Sequence, residues 1–237
     1  MDPGASSKVT STKMLFLKKL KALCFPRRSF GLDSLDLKLE PYLAKLGSGF
    51  FIEAGANDGM KQSNTLYFEK NHGWRGLLVE PIPELAEECR KNRPKALVEN
   101  AALVSKDFKD QTITMRSGGL MSVVKGGMKS TAEEDAHIEE ASRRKNEKSY
   151  EVSTPARTLS SILQRHGVTK IDFLSLDVEG YELEALRGLD FNKWKPAYIL
   201  VEARYKDEID SFMRTVGYEE VAKLSFHDYL YAPKTNK

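Results

Sequence analysis

From Phe50 onward the chain alternates short apolar runs with longer helix-like segments. That alternation confines the fold to βαβ units around a mostly parallel sheet covered on both faces. Strands are predicted over 50–54, 76–80, 96–99, 112–116, 171–176 and 197–203, with helices near 63–71, 83–92, 158–166, 181–187 and 206–216. A closing β-rich stretch, 218–232, adds one or two edge strands. The pattern is that of a doubly wound α/β domain. Residues 117–151 break it: Gly118-Gly119 and Gly126-Gly127 flank a Met- and Val-containing patch. Ala132 to Lys148 then carries only alanines and Ile138 as apolar positions. Such a stretch predicts a solvated insertion and no core helix; a mobile lid hinged on the glycines is the alternative.

Charge divides the chain in two. The net +3 is the sum of +6 in residues 1–30 and −3 in the remainder. Nothing in residues 31–237 has the clustered basic and aromatic side chains of a nucleic-acid surface, so nucleic acid is not expected as a partner. The basic part, 1–30, reads as a tail: Met14 to Phe25 sets Phe16, Leu20 and Leu23 among Lys18, Lys19 and Lys21, and Pro26 closes the segment. This spacing suits a short amphipathic helix, with three uses open to it: peripheral contact with an anionic membrane through residues 14–28, organelle targeting, or docking on the domain. It is too short and too charged to span a bilayer and lacks the cleavage site of a secretory signal, so the expected location is cytoplasmic or peripheral at a membrane. Residues 31–237 form the predicted domain. Cys24 and Cys89 are the only cysteines, which excludes a disulfide framework and a cysteine zinc site.

In doubly wound sheets, ligands bind where the first strand turns into its helix. Here that turn is Glu53-Ala54-Gly55-Ala56-Asn57-Asp58-Gly59. Gly55 and Gly59 allow close ligand approach, but their G-x-x-x-G spacing differs from the dinucleotide pyrophosphate fingerprint and favours a ligand without phosphates. Glu80, ending the second strand about 20 residues beyond the turn, is placed to accept hydrogen bonds from both hydroxyls of a ribose.

These residues, with Ser63-Asn64-Thr65, Gly73-Trp74-Arg75-Gly76, Glu80-Pro81, Asn92-Arg93-Pro94 and Asp177-Val178-Glu179-Gly180, resemble the FkbM family of S-adenosylmethionine-dependent methyltransferases over roughly residues 48–232. The resemblance implies a class I methyltransferase fold, a Rossmann-like seven-stranded, mostly parallel sheet whose last strand is antiparallel. It also implies S-adenosyl-L-methionine as cofactor and O-methylation of a hydroxyl on a sugar or other small molecule. By position, Glu53, Gly55, Asn57 and Gly59 match the first cofactor motif. Glu80 matches the ribose acid, with Pro81 and Ile82 against adenine. Asn100 and Ala101 match the adenine edge, and Ser63 and Asn64 a helix start that can reach the methionine carboxylate. The family often has Asp where Glu53 stands.

The strand over 171–176 delivers Asp177 and Glu179 to the same sheet edge as the glycine turn. Methyl transfer to a hydroxyl needs alignment and removal of a proton, and two carboxylates near a sulfonium suit both needs. Asp177 and Glu179 are therefore the candidate catalytic residues, against a helix cap for the first and a structural partner of the turn for the second. The histidines read as structural: His72 and His166 at helix ends, His137 in the charged insertion, and His227 on the last β segment, where an approach to the acceptor site is the alternative. No pair has ligand spacing, and no metal site is predicted. The competing functional reading is a catalytically inactive methyltransferase-fold module for binding or membrane adaptation. An NAD-dependent dehydrogenase fails on glycine spacing. The sequence does not identify the acceptor or the oligomeric state.

Overall fold

The structure, a computed structural model, describes residues 28–118, 121–145 and 148–235. The expected amphipathic segment 14–25 lies outside them. Eleven strands are described: β1 (Phe50–Ala54), β2 (Arg75–Glu80), β3 (Leu97–Asn100), β4 (Ala102–Leu103), β5 (Thr112–Ser117), β6 (Val123–Val124), β7 (Tyr150–Arg157), β8 (Phe173–Leu176), β9 (Tyr198–Glu202), β10 (Tyr218–Lys223) and β11 (Asp228–Pro233). The helices are α1 (Leu35–Leu43), α2 (Leu66–His72), α3 (Pro83–Asn92), α4 (Thr131–Lys145), α5 (Leu159–Arg165), α6 (Glu182–Arg187) and α7 (Lys206–Thr215).

Seven strands make the main sheet in the order β3-β2-β1-β8-β9-β11-β10. β3, β2, β1, β8 and β9 are parallel, while β11 runs antiparallel between β9 and β10. The order reverses beside β1, so the crevice between the β1 and β8 crossovers is the expected place for a ligand. Alternation along the strands divides the core. Ile52, Leu77, Val79 and Leu174 face Leu159, Ile162 and Leu163 of α5, whereas Phe51, Leu78 and Phe173 face Leu39 and Leu43 of α1 and Phe68 of α2. Local signals set the helix ends. Pro83 opens α3, the Thr158 hydroxyl accepts from the Ser161 amide at the start of α5, and Gly73, at φ 69°, ends α2.

Two sequence expectations are corrected. The strand near 112–116 does not join the main sheet. It is β5 of a second sheet, β4-β7-β5-β6, in which β5 and β7 pair antiparallel. Met115 and Val124 of this sheet pack against Ile82, covering the C-terminal edge of the main sheet. The charged insertion, expected to form no core helix, contains α4, and α4 is docked. Glu134, His137, Ile138 and Ala141 are buried at i, i+3, i+4 and i+7, a helical stripe with two polar members. Ile138 packs on Val123 and Met128, and Glu134 accepts from Arg116 (2.8 Å) and from the Gly126 amide (2.7 Å). The polar stripe residues have partners within the fold, which apolar periodicity cannot reveal.

Candidate active site

At the end of β1 the chain turns through Gly55, whose amide donates to the Val79 carbonyl (3.0 Å). Gly55 has φ 80°, and a Cβ there would lie 1.8 Å from the Asp177 carbonyl oxygen. Only glycine fits, and its absent side chain lets the β1 and β8 crossovers meet. Asn57 follows at φ 50°, aiming its amide at Glu80 Oε2 (2.8 Å), while the Ile82 amide donates to Glu80 Oε1 (2.9 Å). Burial, partly offset by these bonds, pushes the Glu80 carboxyl up to about 7. Each oxygen accepts one backbone N–H here and retains capacity for a second donor.

A cavity opens over this turn, lined by Gly55, Asn57, Glu80, Pro81, Ala101 and Tyr181 together with Asp177 and Glu179. Glu53, Gly59, Ser63, Asn64 and Asn100 are not on its wall. Glu53 is buried behind the turn, accepting from Ser63 Oγ (2.8 Å), the Asn64 amide (2.7 Å) and Thr65 Oγ1 (2.6 Å). Asn100 Nδ2 donates to the carbonyls of Glu80 and Pro81, fixing the bend after β2. Gly59 packs against Arg93, whose guanidinium donates to the Gly59 carbonyl (3.0 Å) and pairs with Glu69 (2.7 Å) and Glu53 (3.6 Å). Arg93 was visible in sequence only as part of a motif; its burial and partners make it the strut of the whole turn.

A second cleft adjoins the first, and Asp177 and Glu179 line both. Its walls come from the start of α1, from α4, from the end of β9 and from the β10–β11 turn. The Asp177 carboxyl is raised well above the usual range by burial and by the neighbouring Glu202 and Glu179. Glu202 is also raised, first by burial. Glu179 adopts φ 56°, an uncommon conformation for a residue with a side chain, and the Glu182 carboxylate fixes that turn by accepting from the Val178 and Gly180 amides.

The sequence placed His137 in the charged insertion. It is 8% exposed and faces this cleft, with Nε2 3.0 Å from Glu179 Oε2 but short of hydrogen-bond alignment, and with Nδ1 accepting from Arg204 (2.9 Å). His227 also lines the cleft, as does Asn64, which donates to Ser175 Oγ and has a buried Oδ1 without a partner. His72 and His166 sit at helix ends near Glu40 and Glu99. Among the described residues no group of three or more His, Cys, Asp or Glu has metal-binding geometry, and no helix is long and apolar enough to cross a membrane.

The family model for the methyltransferase FkbM domain matches residues 53–220. The chain is similar to a solved FkbM methyltransferase from Methylobacillus flagellatus, with 13% identity and a TM-score of 0.47 over 78% of this chain and 44% of that one. It therefore spans less than half of that structure. It is also similar to a putative caffeoyl-CoA O-methyltransferase from Staphylococcus aureus (8% identity, TM-score 0.49, 94% and 99% covered). A TehB-like methyltransferase from Corynebacterium glutamicum is another match (11% identity, TM-score 0.44, 96% and 100% covered). No curated protein matches.

Proposed function

From the premise that the chain belongs to the FkbM methyltransferase family, whose cofactor is S-adenosylmethionine, we propose that it methylates a hydroxyl of a sugar or another small molecule. The observation that carries this reading is the position of Asp177 and Glu179 on the shared wall of the two cavities. One cavity suits the cofactor and the other the acceptor.

The residues present fit the cofactor. Gly55 and Asn57 line the first cavity, and the two Glu80 oxygens retain lone pairs for the two ribose hydroxyls. Pro81 and Ala101 form an apolar slot beside them, as an adenine ring requires. Glu53, Gly59, Ser63 and Asn100 act by holding this frame. When bound, adenosylmethionine supplies an electrophilic methyl carbon on a sulfonium. Glu179 would hold the acceptor hydroxyl from the second cleft and take up the proton that the hydroxyl loses on methylation. Asp177 and Glu202, side by side on the wall of the second cleft, present hydrogen-bonding groups to the acceptor. His137 and Arg204 approach the Glu179 carboxylate, at 3.0 and 3.8 Å.

The test incubates the protein with methyl-labelled adenosylmethionine and panels of hydroxylated and of amine acceptors. Transfer to hydroxyls that is lost in Asp177→Asn and Glu179→Gln, with cofactor affinity retained, supports the reading. Transfer to amines alone would refute the hydroxyl assignment. A cofactor-free adaptor predicts no heat on titration with adenosylmethionine.

A further inference from the structure

Six large apolar side chains are exposed among the described residues, and two of them, Phe226 (77%) and Leu32 (54%), line the second cleft. They stand on separate elements. Phe226 tops the β10–β11 turn and Leu32 precedes α1, and the Lys38 ammonium of α1 joins the two by donating to the Leu224 carbonyl (2.8 Å). Cations surround them. Lys223 lies 5.3 Å from the Phe226 ring and Lys38 is exposed; Asp33 and Asp228 are acids on the same cleft. The carboxyls of Asp177, Glu179 and Glu202 are less exposed than this rim.

The chain enters this rim from residues 1–27, which hold six basic side chains and one acid, with Phe16, Leu20 and Leu23 spaced among the lysines. Apolar side chains combined with a polybasic segment are the two signals that together hold a protein at an anionic bilayer, where either alone is weak. A second copy of this chain fits poorly, because a stable protein interface needs about 800 Å² from each partner and the rim offers two isolated apolar side chains.

We infer that the rim formed by Leu32 and Phe226 docks on an anionic lipid bilayer, and that the second cleft receives its hydroxyl acceptor from a molecule anchored there. The docking stands on the rim and the tail; the nature of the acceptor rests on the methyltransferase reading. Lipid phosphates would meet Lys38 and Lys223 at the rim, while a neutral headgroup hydroxyl enters towards Glu179.

Co-sedimentation of the full chain with phosphatidylcholine vesicles, with and without phosphatidylglycerol, tests the docking. Binding is expected to the anionic vesicles, to weaken with added salt, and to fall about tenfold in the Leu32→Ser/Phe226→Ser double variant. Unchanged heat of adenosylmethionine binding would show that variant to be folded. In a Phe226→Trp variant, brominated lipid should quench a new emission that Trp74 and Trp194, both buried, do not contribute. Equal vesicle binding by the wild type and the double variant, or no quenching of a vesicle-bound Phe226→Trp protein, would overturn the inference. So would absence of vesicle binding by a chain that takes up adenosylmethionine. Vesicle binding by a chain with no heat for adenosylmethionine would leave the docking standing and remove the methyltransferase reading instead.

Discussion

Replacing Glu80 by Gln isolates the charge at the end of β2. The Glu80 carboxyl titrates near 7 because burial disfavours its ionised form. Only the ionised form accepts from both ribose hydroxyls while also accepting the Asn57 and Ile82 amides. Cofactor binding therefore selects the carboxylate, and below the free-protein value each bound cofactor must displace a proton. With a midpoint near 7, about nine-tenths of the protein is competent at pH 8 and about one-tenth at pH 6, so affinity should fall nearly tenfold between them. The Gln side chain keeps the shape but turns an NH2 group towards one of the two backbone donors. It should weaken binding by about 100-fold at pH 8, the loss of one or two charge-assisted hydrogen bonds, and its affinity should vary far less between pH 6 and 8. Isothermal titration across that range measures both quantities, and buffers of different ionisation heat count the proton released. The stability effect has the opposite sign. A carboxyl raised in the folded state favours folding below its unfolded value near 4.5, and that contribution is lost as pH rises through 7. The apo Gln variant should accordingly lose less stability than the wild type between pH 5 and 8. The same pH slope in wild type and variant would refute the assignment of the titration, and of the ribose contact, to Glu80.

Gly55→Ala would drive a Cβ into the Asp177 carbonyl oxygen at φ 80°; the crossovers must separate, lowering the thermal midpoint and removing cofactor binding together. Arg93→Met leaves Glu53 and Glu69 without their cation and should cost about 3–5 kcal/mol in denaturant unfolding. Ile138→Asp places a charge in the contact between α4 and Val123. It should expose residues 131–145 to rapid hydrogen exchange while the main sheet stays protected, and uniform exchange with the wild type would show that α4 is not docked through this face.

The main sheet was legible because its signals are local. Strands such as Phe50–Ala54 and Arg75–Glu80 are apolar on both faces, and a strand buried on both sides admits few alternatives. The residues of the first cavity were legible for a related reason: Gly55 and Glu80 are set by how closely a ligand and a second crossover approach, so residue type and spacing carry the requirement. Neither reason extends to Glu53. Its position at the β1 end was readable, but its buried bonds to Ser63, Asn64 and Thr65 depend on how the following loop folds back, and nothing in the spacing decides between that network and a ligand.

The second cleft is built by a different logic, which explains why the sequence concealed it. Its walls come from regions spread along the chain from Leu32 to Asp228, and α4 among them buries two polar side chains, Glu134 and His137. Arg116 pairs with Glu134, while His137 lies between Arg204 and Glu179. A side chain whose burial depends on a cation more than 60 residues away leaves no periodic trace. The same dependence gives the insertion a role beyond covering the site. Because His137 and Arg204 both approach Glu179, docking of α4 and the position of the proposed proton acceptor are coupled. A change that releases α4 should alter turnover through Glu179 before it alters cofactor affinity, since no α4 residue reaches the cavity over Gly55 and Glu80.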